Sequence, residues 1–147
     1  MPSDHTILQS VTIDSSEVKG IQRIEKKEVI GTSRPRVLFI GSYPPRQCGV
    51  GKFLEDLVSS YEGPSDIVAV DEQGLNSSTR NYSQKVVFRL NQNDREAYYT
   101  VAEMANSQVY DVVNVQHEYN LYGGMGGEYI VILLGAIRKP VILTMHT

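Results

Sequence analysis

Val37-Leu38-Phe39-Ile40 is an unbroken apolar run that stops at Gly41, and runs of the same kind recur at Ile67-Val68-Ala69-Val70, Val86-Val87-Phe88, Val112-Val113 with Val115, and Val141-Ile142-Leu143. A strand with one wet face alternates apolar and polar residues; a strand covered on both faces does not. Five such runs therefore predict a sheet buried on both sides. The segments between them supply the cover. Val50, Phe53, Leu54, Leu57, Val58 and Tyr61 recur at the spacing of one helical face, and Gly63-Pro64 ends the helix. Asn93, with Glu96 three positions later, reads as a capping box, and the helix it opens runs to about Ser107, burying Tyr98, Val101, Ala102 and Ala105. A third, apolar helix is predicted from about Glu128 to Ile137, and Pro140 opens the last strand. Strands alternating with helices give an α/β fold with a parallel sheet of about five strands and helices on both faces. The connection 72–84 reads as a loop, which leaves the strand order open.

The first 34 residues lack this pattern. They mix charges, Ser and Thr with isolated aliphatics, and only Ile7, Val11 and Ile13 suggest one face of a short strand. The expected organisation is a polar, partly disordered leader over 1–34 and an α/β domain over 35–147, with Pro35 at the boundary. A net charge of -3 gives no field to hold a phosphate backbone, which argues against nucleic acid as a partner. The single cysteine, Cys48, rules out an internal disulfide and a cysteine-rich metal site. No segment approaches the roughly 20 apolar residues of a membrane span. Met1 to Gln9 lacks the features of a signal peptide, so the expected location is cytoplasmic.

Ligands of open α/β sheets bind at the carboxyl ends of the strands, and three segments fall there. In the loop Gly41 to Gly51, the glycines Gly49 and Gly51 let the backbone approach a ligand, and amides at a helix start favour an anion. A Walker A loop fails because Arg46 occupies the first glycine position and Phe53 the Ser/Thr position. The dinucleotide fingerprint fails at Leu54, although Asp71 stands where its ribose-binding acid belongs. In the second segment, His117-Glu118 is no zinc-protease motif, since Leu121 replaces the second His. Gly123, Gly124, Gly126 and Gly127 follow and open the third helix. The third segment is Thr144-Met145-His146-Thr147. Each segment alone also suits plain chain geometry, and Arg46 and Lys52 suit a solvated surface.

Taken together, Ser42-Tyr43-Pro44-Pro45 with Cys48-Gly49-Val50-Gly51, Gln116-His117-Glu118-Tyr119 with Tyr122-Gly123-Gly124, and Thr144-Met145-His146-Thr147 resemble the N-terminal domain of glycosyltransferase family 4 over about residues 36–147. The resemblance implies a Rossmann-like half of a GT-B fold in a retaining enzyme that needs no metal or other cofactor. Its partners would be a nucleotide sugar and a sugar or glycan acceptor. By position, Gly49 and Gly51 would approach the donor diphosphate, and His146 would face the transferred sugar as the catalytic residue. His117, Glu118, Gly123 and Gly124 would line the cleft as substrate-binding residues. Members of that family continue past this point into a C-terminal domain that grips the nucleotide, so the chain reads as a truncated first half. Two other readings stay open: the dinucleotide-binding half of an NAD-type dehydrogenase, and a non-catalytic α/β binding module.

Overall fold

The computed structural model describes residues 33–72 and 81–147 in full, together with the backbone of 7–14 and 23–30. Two compact units divide between Arg34 and Pro35. In the first, β1 (Ile7–Asp14) pairs antiparallel with β2 (Arg23–Ile30), in a register from Ile7 opposite Ile30 to Asp14 opposite Arg23. The segment read as a polar leader thus holds a two-stranded ribbon where only one short strand was suggested. Charged residues alternating with aliphatics still permit strand pairing, because the ladder hydrogen bonds are made by the backbone. Leader residues 1–6, 15–22 and 31–32, and residues 73–80 of the connection read as a loop, lie outside the described residues.

The second unit is α/β. Its strands are β3 (Val37–Gly41), β4 (Ser65–Asp71), β5 (Val86–Asn91), β6 (Val112–His117) and β7 (Val141–Met145). They form one parallel sheet in the order β5-β4-β3-β6-β7, consistent with a Rossmann-like fold. Helix α1 (Gly49–Ser60) follows β3, α2 (Arg95–Ala105) precedes β6, and α3 (Ile130–Ala136) precedes β7.

Strand alternation divides the core in two. Val37, Phe39, Ile67 and Ala69 pack with Leu54 and Val58 of α1. Leu38, Ile40, Val68, Val70, Leu90, Val113 and Val115 pack against Tyr98, Val101 and Ala102 of α2 and Leu133 of α3. Burial of each such aliphatic side chain stabilises by about 1.5–3 kcal/mol, which explains why the runs of β3 and β4 carry no polar alternation; β6 departs from this, with Asn114 and Gln116 buried on one face. The outer strands differ. Strand β7 is an edge, and Val141, Ile142 and Leu143 are all exposed, so this apolar run is not covered on both faces as its sequence suggested.

At the amino ends of the strands, one carboxylate gathers three elements. Asp66 Oδ2 accepts from Arg36 Nη2 at 2.8 Å, from Arg36 Nε at 3.2 Å and from the Tyr110 hydroxyl at 3.0 Å. Arg36 also donates its backbone N–H to Asp111 Oδ2 at 2.7 Å. The starts of β3, β4 and β6 are joined in this way.

Helix α2 begins one residue later than the capping box suggested. Asp94, not Asn93, is the cap, and its side chain accepts from the N–H groups of Glu96 and Ala97. Asn93 is held in the preceding turn, where its N–H is donated to Asn91 Oδ1. The third helix is also shorter than its sequence suggested. Residues 125–127 form a separate 3-10 turn, and Gly126 has φ 69°, outside helical space. Among the described residues, no helix is long and apolar enough to cross a membrane.

Candidate functional site

The chain leaves β3 toward β4 on one side of the sheet, and β6 leads to β7 on the other, so the strand order reverses between β3 and β6. In open α/β sheets such a reversal, at the carboxyl ends of the strands, is where ligands bind. The chain leaves β3 through Ser42 to Cys48 and starts α1 with Gly49, Val50 and Gly51. Cys48, the N-cap, contributes no side-chain hydrogen bond and the first turn has no acidic residue, so its amides keep no side-chain acceptor. The two glycines here differ. A Cβ at Gly51 would lie 3.2 Å from Ser42 Oγ, a close approach that the protein itself requires. A Cβ at Gly49 would meet nothing within 4 Å. Packing explains Gly51 and leaves the space before Gly49 open. Ser42 is fully buried and its hydroxyl has no hydrogen-bond partner.

Beside α1, β6 and β7 present a connected polar group on the same sheet face. Gln116 is fully buried, and its Nε2 donates to Asn114 Oδ1 at 2.5 Å and to Thr144 Oγ1 at 3.4 Å. Its Oε1 lies 2.7 Å from Nε2 of His146. Phe53 meets the imidazole edge-on with ring centroids 5.0 Å apart. Phe53 was expected on the buried face of α1; it is instead 45% exposed and serves as a wall for His146. Gly41 lets this group sit close to the sheet, because a Cβ there would come within 3.0 Å of Gln116 Cβ and 3.2 Å of Leu54 Cδ2. Close helix–strand packing, which the dinucleotide fingerprint assigns to a glycine at the Leu54 position, is achieved here from the strand.

His117 belongs to the other face. Its carbonyl accepts the His146 N–H at 2.8 Å, while its ring stacks on Tyr122 at 6.2 Å and 14°. The His117 Nδ1 is buried without a hydrogen-bond partner. Tyr122 is almost fully buried, and that burial pushes its hydroxyl pKa up, so it stays a donor, to the Gln116 carbonyl at 2.8 Å. Glu118 is half-buried and its carbonyl closes a turn with the Leu121 N–H at 3.1 Å. Gly123 is pinned by packing. Its N–H is donated to the Tyr98 hydroxyl at 2.9 Å, that hydroxyl donates to the Gln92 carbonyl at 2.7 Å, and a Cβ would lie 1.7 Å from the same carbonyl oxygen. Gly124 has φ 83°, which L side chains rarely adopt.

The structure therefore gathers Gly49, Gly51 and His146 on the α1 side. His117, Gly123 and the turn at Glu118 lie on the α2–α3 side of the same rim. The two nearby cations are engaged: Arg46 Nη2 pairs with Glu72 at 2.8 Å, and Lys52 with Glu55 at 2.8 Å and Asp56 at 3.0 Å. Among the described residues, no three His, Cys, Asp or Glu side chains converge as metal ligands would.

Although Ser42 and Gln116 stand in the motifs of the resemblance, sequence reasoning gave no site role to Ser42, Asn114 or Gln116. The signal for the last two was present: in the run VVNVQ, Asn114 and Gln116 fall two apart within apolar neighbours, so β6 carries a polar stripe on one buried face. No protein-family model, curated protein or solved structure compared with the chain matches it.

Proposed function

We propose that the chain is the acceptor-side domain of a retaining glycosyltransferase of the GT-B kind, moving a sugar from a nucleotide sugar to a sugar or glycan acceptor. The observation that carries the reading is His146, held by Gln116 and walled by Phe53 at the strand-order reversal beside the open, uncapped start of α1. Glycosyl transfer from a nucleotide sugar builds positive character on the sugar ring and negative charge on the leaving diphosphate. Amide donors at a helix start oppose the second, and a neutral imidazole can bond a sugar hydroxyl without adding charge beside the first. Gly49 and Gly51 belong with the diphosphate and His146 with the sugar. His117 and Glu118 belong with the acceptor on the other side of the rim. A C-terminal domain that grips the nucleotide, a cytoplasmic location and independence of metal are parts of the same proposal.

The test uses the full-length protein with a panel of nucleotide sugars and sugar acceptors. His146→Ala is expected to lower turnover by roughly 10²-fold or more, the effect of losing one transition-state hydrogen bond, with nucleotide affinity nearly unchanged. Turnover near wild type would remove His146 from the site. A dinucleotide-binding reading keeps one observation: Asp71, almost fully buried at the end of β4, stands where a ribose would be read, although its carboxylate already accepts from the Tyr82 hydroxyl. Quenching of protein fluorescence by NADH, reversed in Asp71→Asn, would favour that reading over transfer. Binding of a glycan without turnover would favour a non-catalytic module.

A further inference from the structure

We propose that Gln116 is a positioning residue that fixes His146 as the Nε2–H tautomer and leaves its Nδ1 as the hydrogen-bond acceptor. Gln116 is fully buried, so its two amide protons and its carbonyl oxygen must find partners inside the protein. As placed, both protons have acceptors, Asn114 Oδ1 at 2.5 Å and Thr144 Oγ1 at 3.4 Å, and Oε1 faces His146 Nε2 at 2.7 Å. An acceptor oxygen at that position requires a proton on Nε2.

The opposite arrangement can be weighed by its unsatisfied groups. If both amides flipped, the Gln116 oxygen would take protons from Asn114 and Thr144, and its NH2 group would face His146. One amide proton would then bond Nε2, and the second would be buried with no acceptor. An orphaned buried donor costs more than a carbonyl that keeps one lone pair idle. The network therefore runs one way, from His146 through Gln116 to Asn114 and Thr144.

The choice of an amide has a chemical consequence. A carboxylate in the place of Gln116 would stabilise the imidazolium, as in hydrolase triads. The neutral amide orients the ring without drawing a positive charge onto it. The neutral ring is then an oriented acceptor for a hydroxyl through Nδ1. That last role rests on the transfer reading above; the tautomer does not.

The experiment is long-range ¹H–¹⁵N NMR of the histidine rings in the 147-residue chain at pH 8, with Gln116→Leu and Asn114→Leu as variants. In the wild-type chain, His146 is expected to show a protonated Nε2, an unprotonated Nδ1, and an Nε2 proton slow enough in exchange to be observed. In Gln116→Leu that ring proton signal is lost, while the His146 backbone N–H, bonded to the His117 carbonyl at 2.8 Å, stays protected and reports that β7 is still paired. Asn114→Leu releases the Gln116 amide without touching His146, and the ring proton should exchange faster there too. An Nδ1–H tautomer in the wild-type chain overturns the assignment, as does a ring proton indifferent to both substitutions. Transfer assays separate the two proposals: a His146 that proves dispensable for turnover while retaining the Nε2–H tautomer removes the transfer reading and leaves the placement by Gln116 standing.

Discussion

Gly123→Ala and Gly49→Ala should move stability in opposite directions, although both glycines stand in glycine-rich segments at the carboxyl ends of the strands. At Gly123 an added Cβ would lie 1.7 Å from the Gln92 carbonyl oxygen and 2.9 Å from Tyr129 Cδ2. The first obstacle is backbone, so the loop must retreat by more than an ångström. Forcing a methyl group into packed surroundings costs about 1–3 kcal/mol, sometimes more. The retreat also breaks the Gly123 N–H bond to the Tyr98 hydroxyl, roughly another 1 kcal/mol. A loss of about 2–4 kcal/mol in a domain of this size lowers the melting temperature by roughly 8–15 °C. At Gly49, nothing lies within 4 Å of the added carbon. Alanine is favoured over glycine by about 0.5–1 kcal/mol in a helix interior and by less at a first residue such as Gly49, so Gly49→Ala should melt up to about 2 °C higher. Thermal unfolding of the three chains, followed by circular dichroism and calorimetry, measures both. A Gly123→Ala chain that melts within about 2 °C of wild type would refute the packing argument, because a shift that small leaves no room for the overlap. A destabilised Gly49→Ala would show that the space before α1 is less open than the geometry says.

Asp94→Ala removes the side chain that accepts from two amides at the start of α2 and should cost about 1 kcal/mol, read from urea unfolding; no loss would return the cap to Asn93. Tyr110 is pushed up to about 12 by burial first and by its bond to Asp66 second, against an ordinary value of 10. The folded state thus holds this proton more tightly than the unfolded chain, so the contribution is whole below about pH 10 and is lost as pH rises toward 12. Stability measured across that window should fall less steeply in Tyr110→Phe, though not become flat, since burial also raises Tyr43, Tyr98 and Tyr122; identical slopes would refute the assignment. The exposed, uncharged run Val141-Ile142-Leu143 on edge strand β7 should make the chain self-associate at high concentration, and Ile142→Lys should reduce this in sedimentation experiments; equal behaviour of the two chains would place the contact elsewhere.

The central strands β3 and β4 were legible because burial on both faces favours a continuous apolar run, and β6 was legible from Val112, Val113 and Val115 although its other face is polar. The α2 face was legible for a similar reason: Tyr98, Val101, Ala102 and Ala105 all turn inward at helical spacing. Strand β7 carries the same kind of run but lies open on the sheet edge, since composition reports what a strand tolerates and not which neighbours it acquires. The glycines show the same limit. Gly49 and Gly123 are alike as letters, and only the distance to a facing carbonyl separates open space from tight packing. Gln116 was hidden because a polar residue at a strand end reads equally as solvent-facing; its burial depends on α1 and β7, which lie far from it in sequence. The ribbon of β1 and β2 was half legible, since its pairing is a property of the backbone.

The carboxylate of Asp66, with Arg36 and Tyr110 around it, stands at the opposite end of the sheet from Gly49 and His146. That separation is a division of labour. Substitutions in the loops after β3 and β6 can reshape the rim at Gly49 and His146 without touching the bonds that align the strand starts. A chain with this frame can change one rim of the sheet while the stability cost of the change stays in the loops that make it.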